Sequence, residues 1–549
     1  MLKENFVKAI ESGIKKNWNL PALSNYEEGS LSYEKVAGKI CWMHYIFKKT
    51  GLKKGDKVAV IGKNSTNWAL TYISTITYGA VIVPILPDFK PDDIHHIINH
   101  SDTVLFFAAE SIFDTLDESK MPQLDAVFAL ENFRLLYHKK KDLVNKLENS
   151  ERDYLKDYPQ FSVDSISFPE VKNNQLAAIV YTSGTTGFSK GVMLPHNSLM
   201  GNIKYAQIHL PLKSGEKVLS FMPLAHSYGC AFEFLYPFCM GCHITFLGKI
   251  PSPKIIVKAF QDIRPHLVLS VPLIIEKIYK KQIKPALSKG PAKIMIKLPI
   301  LKNVVLKKVY DKLVNAFGGN FYEVVIGGAA LNKEVESFLT MIKFPFTVGY
   351  GMTEFGPLIS YATWKTTRIG SVGQIVDDME VKIDSSDPQR IVGEILVRGE
   401  HIMDGYYKNK QATEETIDKD GWLHTGDLGL LDKDNFIYIK GRSKNMILGP
   451  SGQNIYPEEI EAKLNNMPYV SESLVLEKNG QLVALIYPDM EMVDAEKLSE
   501  SSLNNILEQN RKLLNSQLAA YLNISQFEVY PEEFEKTPTK KIKRFLYSK

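Results

Sequence analysis

Short apolar runs alternate with helical segments between residues 57 and 108, and this alternation constrains the fold more than any other feature. The runs KVAVIG, VIVPILP (81–87) and TVLFFA (103–108) predict buried strands. The intervening segments NWALTYISTITYGA and DDIHHIINHS predict helices. Strands that alternate with helices favour a doubly wound α/β sheet with parallel strands. The polar stretch 131–165 has no clear period, and we expect surface helix and loop there.

The pattern changes in the last third of the chain. After Ile369 come short strands separated by turns, among them EVKID, GEILVRG and NFIYIKG, which indicate a small β-rich subdomain. From about Lys444 the chain mixes the helix EEIEAKL, the strands ESLVLEK and LVALIYP, an amphipathic helix near 498–520 and a basic tail. We therefore expect an α/β fold: a large N-terminal domain over 1–441 that contains the β-rich subdomain, then a small mobile α+β domain over 442–549.

The stretch AAIVYTSGTTGFSKGVML (177–194) joins a predicted strand to a loop of hydroxyls, glycines and one lysine. Glycines let backbone N–H groups turn toward an anion, hydroxyls add donors, and the lysine adds a positive charge. This combination suits a polyphosphate. It is not a Walker A loop, because Ser189 and Gly191 replace the second glycine and the final Ser or Thr of that motif. The candidate phosphate-binding residues are Thr182, Ser183, Gly184, Thr185, Thr186, Gly187 and Lys190.

Composition excludes several classes of protein. The net charge is +4, from 66 basic and 62 acidic residues, so nothing points to nucleic acid. Four cysteines are too few for a disulfide framework, and the C-x-x-C pair Cys239 and Cys242 lacks the second pair that a zinc site needs, so we expect both to be buried. The N-terminal sequence does not resemble a signal peptide, and no apolar run is long enough to span a membrane, so we expect a cytoplasmic protein.

Further motifs follow the phosphate loop in a fixed order. They are GGAAL (327–331), GYGMTEFGP (349–357), GWLHTGDLG (421–429), KGRSKNMI (440–447) and KTPTKKIKR (536–544). Their order and spacing, from about Leu31 to the C-terminus, resemble the adenylate-forming superfamily. The segments PLAHSY (223–228) and GQNIYPEEIE (452–461) most resemble long-chain fatty acyl-CoA synthetases. The resemblance implies that a fatty acid, which these two segments indicate is long-chain, is activated with ATP to an acyl adenylate. The acyl group is then transferred to coenzyme A, with release of AMP and pyrophosphate.

The resemblance also assigns the nucleotide site. It implies that the loop cradles the β- and γ-phosphates, that Glu354 and Thr186 hold Mg²⁺, and that Asp427 accepts from the ribose hydroxyls with Arg442 nearby. A hard carboxylate oxygen beside a triphosphate is what Mg²⁺ uses, and one carboxylate can accept from two hydroxyls. It further implies that Tyr350 stacks on adenine and that Gly328 and Ala329 line the other side of the base, and it places Gly351 and Thr353 among the ATP/AMP-binding residues.

The basic tail supplies the main catalytic candidate. The tail of the family reads K-T-x-x-G-K, whereas this chain has K-T-P-T-K-K, so that Lys540 replaces the glycine. Alignment through Ile542 and Arg544 selects Lys541 as the catalytic lysine, although Lys540 stays open if the tail shifts. A positioned ammonium can stabilise the charge that builds up as two anions react.

Two more residues complete the implied machinery. His226 is expected near the acyl carboxylate, and Lys444 is the expected hinge about which the C-terminal domain pivots between the two reaction steps. Two other functions stay open: delivery of the acyl adenylate to a carrier-protein thiol, and a catalytically silent nucleotide- or acyl-binding module. Acyl chain length and oligomeric state do not follow from the sequence.

The segment 280–312 is not explained by these motifs. It carries ten lysines and one acidic residue, Asp311, around apolar clusters. Basic side chains around apolar patches suit an anionic membrane surface, so weak peripheral contact with lipid is one interpretation. The other is a helix whose apolar side faces the core, because Pro285, Pro291 and Pro299 interrupt any long amphipathic face.

Overall fold

Two large sheets form the framework of the first 406 residues of this computed structural model. The structure describes residues 1–157, 161–182, 190–249, 252–288, 295, 298–449, 453–537 and 541–548. The first sheet has eight strands, and its five central strands are parallel, as the alternation of strands and helices predicts. In spatial order its strands are Gly405–Tyr406, Lys190–Pro195, Leu176–Thr182, Val81–Ile85, Lys57–Ile61, Thr103–Ala108, Ala126–Ala129 and Leu135–His138.

The second sheet has seven strands, and all neighbours but the last pair are parallel. In spatial order they are Phe346–Val348, Glu323–Ile326, Leu267–Ser270, Lys217–Ser220, His243–Phe246, Pro21–Asn25 and Ser30–Ser32. Chain segments that leave the carboxyl ends of parallel strands meet at one edge of a sheet, which is where α/β proteins build their sites.

Smaller antiparallel sheets follow, which confirms the β-rich subdomain. A three-stranded sheet contains Tyr350–Gly351, Leu358–Tyr361 and Gln374–Ile375. A four-stranded sheet contains Met379–Asp384, Gly393–Gly399, Leu423–Leu431 and Ile437–Arg442.

The last hundred residues have hydrophobic clusters of their own, drawn from residues 447–547. Their sheet contains Val470–Lys478, Gln481–Pro488 and Ile524–Val529, and a separate ribbon pairs Ile447–Leu448 with Asn454–Ile455. The helices of this part are Pro457–Leu464, Met490–Ala495 and Glu500–Asn515, with short 3₁₀ turns at Ala520–Leu522 and Arg544–Leu546.

Helices cover both large sheets, and local sequence sets their ends. The helix Thr66–Tyr78 begins where the Ser65 side chain accepts from the backbone N–H of Trp68, and it ends at Gly79, whose φ of 87° is left-handed. The other α-helices before residue 442 are Phe6–Lys16, Tyr33–Thr50, Pro91–His100, Glu110–Phe113, Asp142–Leu147, Ser150–Asp157, His196–His209, Ser227–Gly229, Tyr236–Met240, Pro253–Ile263, Pro272–Ile278, Lys284–Ser288, Pro299–Ala316, Lys333–Met341 and Lys410–Thr416. Two π-helical segments are Cys230–Leu235 and Tyr279–Ile283, and 3₁₀ turns lie at Glu118–Lys120, Val163–Ser165, Thr353–Phe355 and Ser443–Asn445.

The α/β fold class is thus confirmed, with one local difference. Within 131–165 the structure has the strand Leu135–His138, which pairs antiparallel with Ala126–Ala129 at the sheet edge. All four of its residues are only half buried. Because neither face of the strand is fully buried, the sequence shows no alternation of apolar and polar residues there. Cys239 and Cys242 are buried free thiols, as expected. Within the described ranges, no helix has both the length and the apolar character needed to cross a membrane.

Candidate active site

A buried carboxylate lies where the four-stranded sheet meets the three-stranded sheet. Asp427 pairs in register with Arg442 on the neighbouring strand and is only 4% exposed. Its Oδ1 accepts from Nε of Arg442 at 2.9 Å, and its Oδ2 accepts from the Tyr350 hydroxyl at 2.6 Å. The Thr425 hydroxyl accepts from the backbone N–H of Asp427 at 3.0 Å, which fixes the strand beneath the carboxylate. Three predicted nucleotide-site residues therefore form one network.

Tyr350 enters this network through its hydroxyl. Its side chain is buried, and burial together with the Asp427 carboxylate raises the pKa of Tyr350 far above its usual range. The phenol therefore remains a donor at every physiological pH and holds the carboxylate in place. The stacking of its ring on adenine stays a prediction.

A second buried carboxylate, Glu354, lies four residues after Tyr350 in the chain. Its Oε1 accepts from the Tyr406 hydroxyl at 2.8 Å, and its backbone oxygen accepts from the N–H of Met403 at 2.8 Å. The Lys190 ammonium lies 4.7 Å from the centroid of the Tyr406 ring, a cation–π distance. Tyr406 thus connects the lysine that follows the phosphate loop with the carboxylate predicted to bind the metal.

Lys541 reaches this region from the C-terminal tail. Burial and the positive charge of Arg442 lower the pKa of Lys541, while the carboxylates of Asp427 and Glu354 act in the opposite direction. The residue is exposed, and its ammonium interacts with these side chains through charge. The structure thus brings Asp427, Glu354 and Arg442 within electrostatic reach of Lys541. Lys540 lies outside the described residues.

His226 lies close enough to Lys541 for the two side chains to interact through charge. It precedes the short helix Ser227–Gly229, and its Nδ1 accepts from the backbone N–H of Tyr228 at 3.3 Å. Burial, with a smaller contribution from the Lys541 charge, lowers the pKa of His226 to about 4. The imidazole is therefore neutral at pH 7, with Nε2 as its remaining hydrogen-bonding atom.

The small residues at the predicted nucleotide site are small for different physical reasons. Gly328 has φ of 86°, which favours glycine, and Ala329 beside it is exposed. At Gly351 a Cβ would lie 2.3 Å from the Pro357 carbonyl oxygen, so close backbone packing alone requires glycine there. Thr353 is buried at the start of the turn that presents Glu354.

The structure describes only some of the remaining predicted site residues. Thr182 ends its strand in register with Lys190, which begins the next one. Ser183, Gly184, Thr185, Thr186 and Gly187 lie outside the described residues. Lys444 is exposed in the turn Ser443–Asn445, directly after the last strand of the four-stranded sheet.

A magnesium ion fits the donor set at Glu354. Where the structure describes the chain, no three His, Cys, Asp or Glu side chains are grouped so that they could hold a metal by themselves. Mg²⁺ is usually bound by one or two carboxylates together with substrate phosphates and water. The buried Glu354, with only one oxygen taken by Tyr406, provides one such carboxylate.

An apolar cavity lies beside His226. Its volume is about 10 Å³, room for one water molecule, so an acyl chain would enter only if side chains move. The lining is mostly apolar and includes Val180, Leu199, Ala225, Ala231 and Leu235, with Ser227 as a polar member.

Sequence reasoning missed three residues of the site. Two of them, Tyr406 and Thr425, are described above. The third is Tyr228, whose hydroxyl donates to the Val325 carbonyl at 3.0 Å and whose ring would lie 3.1 Å from a Cβ at Gly327. Tyr228 and Thr425 lie inside the quoted motifs, so position in a motif was a usable signal for them. Tyr406 lies outside every motif, and only strand pairing brings it to the site.

Two large α/β sheets followed by a small C-terminal α+β part also occur in solved structures of similar fold. The chain is similar to the anthranilate CoA ligase AuaEII in complex with anthranoyl-AMP, at 18% identity and a TM-score of 0.79 over 100% of this chain and 97% of that one. It is also similar to O-succinylbenzoate coenzyme A synthetase from Bacillus subtilis in complex with ATP and magnesium, at 18% identity and a TM-score of 0.74 over 98% of each chain.

The chain belongs to the AMP-binding enzyme family, whose family model matches residues 11–407. Its relatives include the long-chain-fatty-acid–CoA ligase FadD15 of Mycobacterium bovis, 28% identical over 90% of this chain and 86% of that protein. Another is long chain acyl-CoA synthetase 6, peroxisomal, of Arabidopsis thaliana, 28% identical over 82% of this chain and 67% of that protein. The family predicted from the motifs is confirmed, and AMP-forming acid–thiol ligation is the class of activity that these matches support.

Proposed function

We propose that this enzyme activates a long-chain fatty acid with ATP and transfers the acyl group to coenzyme A. The observation that carries the proposal is the convergence of Lys541 on Asp427, Glu354 and Arg442. The tail lies far from these three residues in sequence. A module that only binds nucleotide, without catalysis, would have no need of a lysine beside them. The names of FadD15 and the other relatives support the long-chain acid.

The residues divide the first step between them. One oxygen of the acid attacks the α-phosphorus of ATP, and the bond to the leaving pyrophosphate breaks. Asp427, held by Arg442 and Tyr350, would accept from the ribose hydroxyls, and Lys190 would offset phosphate charge. Lys541 would stabilise the negative charge where the two anions meet. Glu354 would hold the magnesium ion, which would offset the charge of the phosphates.

In the second step the thiol sulfur attacks the acyl carbon, the carbon–oxygen bond breaks, and AMP leaves with that oxygen. Neutral His226, beside the apolar cavity, would face the acyl carboxylate in both steps. We further propose that residues 442–549 form a lid that pivots near Lys444, because pyrophosphate must leave and a thiol must enter the same small site.

Exchange of labelled pyrophosphate into ATP tests the first step. We expect exchange that requires a fatty acid and rises from short to long acids, with little response to aromatic acids. Addition of coenzyme A, or of a carrier protein with its phosphopantetheine thiol, then identifies the acceptor. Acid-independent or absent exchange would contradict the proposal, and acylation of the carrier alone would replace coenzyme A as the acceptor.

We also propose weak peripheral contact with anionic membranes through the helix Pro299–Ala316 and its neighbours. One side of this helix faces the core, since Leu306, Val309 and Val314 pack against the hydrophobic cluster of the second sheet. Another part is open to a membrane, since Leu301 and Val304 are 37% and 46% exposed. The flanking Lys307 and Lys308 are exposed, and each basic residue near an anionic surface adds about 1 kcal/mol. The cytoplasmic location stays a prediction.

Vesicle sedimentation tests the membrane contact. We expect binding to anionic vesicles at low salt that is lost at high salt and lost when Lys302, Lys307 and Lys308 become Glu. The control with the same charge change replaces Lys139, Lys140 and Lys141 by Glu. Binding to neutral vesicles at equal strength, or equal loss in both triple variants, would contradict this site.

A further inference from the structure

The tail residues 536–537 and 541–542, called the Lys541 hairpin below, pair with each other. Lys536 and Ile542 form an antiparallel bridge, and the backbone N–H of Thr537 donates to the Lys541 carbonyl at 2.8 Å. The backbone N–H of Lys541 donates in turn to the Thr537 hydroxyl at 3.2 Å. A hairpin this short has no core of its own, so the position of Lys541 depends on what holds the hairpin base.

Two ion pairs hold that base to the body of the C-terminal sheet. On one side Lys536 bridges to Glu472 at 2.6 Å, with the two side chains 18% and 25% exposed. On the other side Arg544 pairs with Glu461 of the helix Pro457–Leu464, with side chains 18% and 11% exposed. Ile542 between them packs on the cluster around Leu474 and Phe534.

The Glu461–Arg544 pair is the more enclosed of the two and joins three elements. Oε1 of Glu461 accepts from the backbone N–H of Val475 at 2.7 Å, while Oε2 accepts from Arg544. A second guanidinium nitrogen of Arg544 donates to the Val475 carbonyl at 3.3 Å. Burial raises the pKa of Glu461, and the positive charge of Arg544 acts in the opposite direction.

We propose that Glu461 is a positioning residue for the first reaction step, acting through Arg544 to hold the Lys541 hairpin in place. This inference rests on the proposed function, in which Lys541 serves adenylation and the thioester step uses another face of the lid. Glu461 itself is 83 residues before Arg544 in sequence, and no hydrogen bond or ion pair among the described residues joins it to a predicted site residue. Its effect on catalysis is therefore selective for one half-reaction.

The Glu461→Gln variant tests this selectivity, because the amide keeps the shape and removes the charge that orients Arg544. A displacement of about 1 Å can cost about 100-fold in rate, and we expect a fall of that size in pyrophosphate exchange. Formation of acyl-CoA from supplied acyl adenylate and coenzyme A should stay within about twofold of wild type. A purely structural role would lower both half-reactions together.

Glu508→Gln is the matched control. It removes another Glu–Arg pair of the same lobe, Glu508–Arg511 at 2.7 Å, on a helix away from the hairpin. If Glu461→Gln does not fold, Arg544→Lys keeps the charge, loses the second contact to Val475, and should give a smaller loss, about tenfold, again in exchange alone.

Equal losses in both half-reactions, or no loss in either, would overturn the positioning role. A wild-type enzyme without acid-dependent exchange would instead show that the proposed function has failed, and the inference with it.

Discussion

Replacement of Asp427 by Asn should weaken ATP binding strongly, and the structure sets the size of the effect. Both carboxylate oxygens of Asp427 are in use, one with Arg442 and the other with Tyr350. Arg442 can only donate, so the single amide oxygen of Asn must turn to it. The amide nitrogen then faces Tyr350, whose hydroxyl can reverse and accept.

In this arrangement the ribose hydroxyls meet an N–H donor where a charged acceptor stood. A hydrogen bond to a charged group contributes about 1.5–3 kcal/mol. Since each 1.4 kcal/mol is tenfold in affinity, the Kd for ATP should rise roughly 10- to 150-fold.

Isothermal titration of ATP with magnesium, without an acid substrate, measures this Kd. Asp432→Asn is the control, because Asp432 pairs with Arg368 at 2.6 Å at the far end of the same pair of strands. We expect the control to bind ATP as wild type does. If Asp427→Asn, folded by circular dichroism, kept the wild-type Kd, Asp427 would not be the ribose ligand.

Three further predictions follow from the same geometry. Lys541→Ala should abolish most pyrophosphate exchange yet leave thioester formation from supplied acyl adenylate largely intact; equal loss in both assays would contradict this division, and full activity would transfer the role to Lys540. Lys444→Pro should let adenylate form while acyl-CoA output collapses, because proline fixes φ near −65° at the proposed pivot; wild-type rates in both steps would place the hinge elsewhere. Burial lowers the pKa of His196 to about 4, so the unfolded state binds more protons between pH 6.5 and 4 and stability falls across that window as pH drops. His196→Phe should reduce the difference in unfolding free energy between pH 7 and pH 5 by about 2 kcal/mol; an unchanged pH dependence, measured by urea unfolding, would show that this histidine titrates normally.

Local sequence determined the fold wherever burial was complete. The strand Lys57–Ile61 and the helix Thr66–Tyr78 could be predicted because a dry environment restricts them to apolar residues and the ends carry recognisable caps. The strand Leu135–His138 could not, because it pairs on one side only and is half-exposed throughout.

In the site, too, some features could be predicted from local sequence and others could not. Asp427, Glu354 and Lys541 were identified from motifs, but their mutual placement depends on how sheets and tail pack, which local sequence does not encode. Tyr406 shows this most clearly: its two-residue strand reaches the site only by pairing with Lys190–Pro195, over two hundred residues earlier. A tyrosine in GYYKN carries no local sign of a contact with Glu354.

The most direct test of the central claim is the fate of a carboxylate oxygen. A fatty acid labelled with ¹⁸O in both carboxylate positions is incubated with the enzyme, ATP, magnesium and coenzyme A, and the products are analysed by mass spectrometry. Attack of the carboxylate on the α-phosphorus, followed by cleavage of the acyl carbon–oxygen bond, predicts AMP that carries one ¹⁸O and acyl-CoA that retains the other. Label in inorganic phosphate with formation of ADP, or unlabelled AMP beside labelled acyl-CoA, would contradict the acyl-adenylate mechanism.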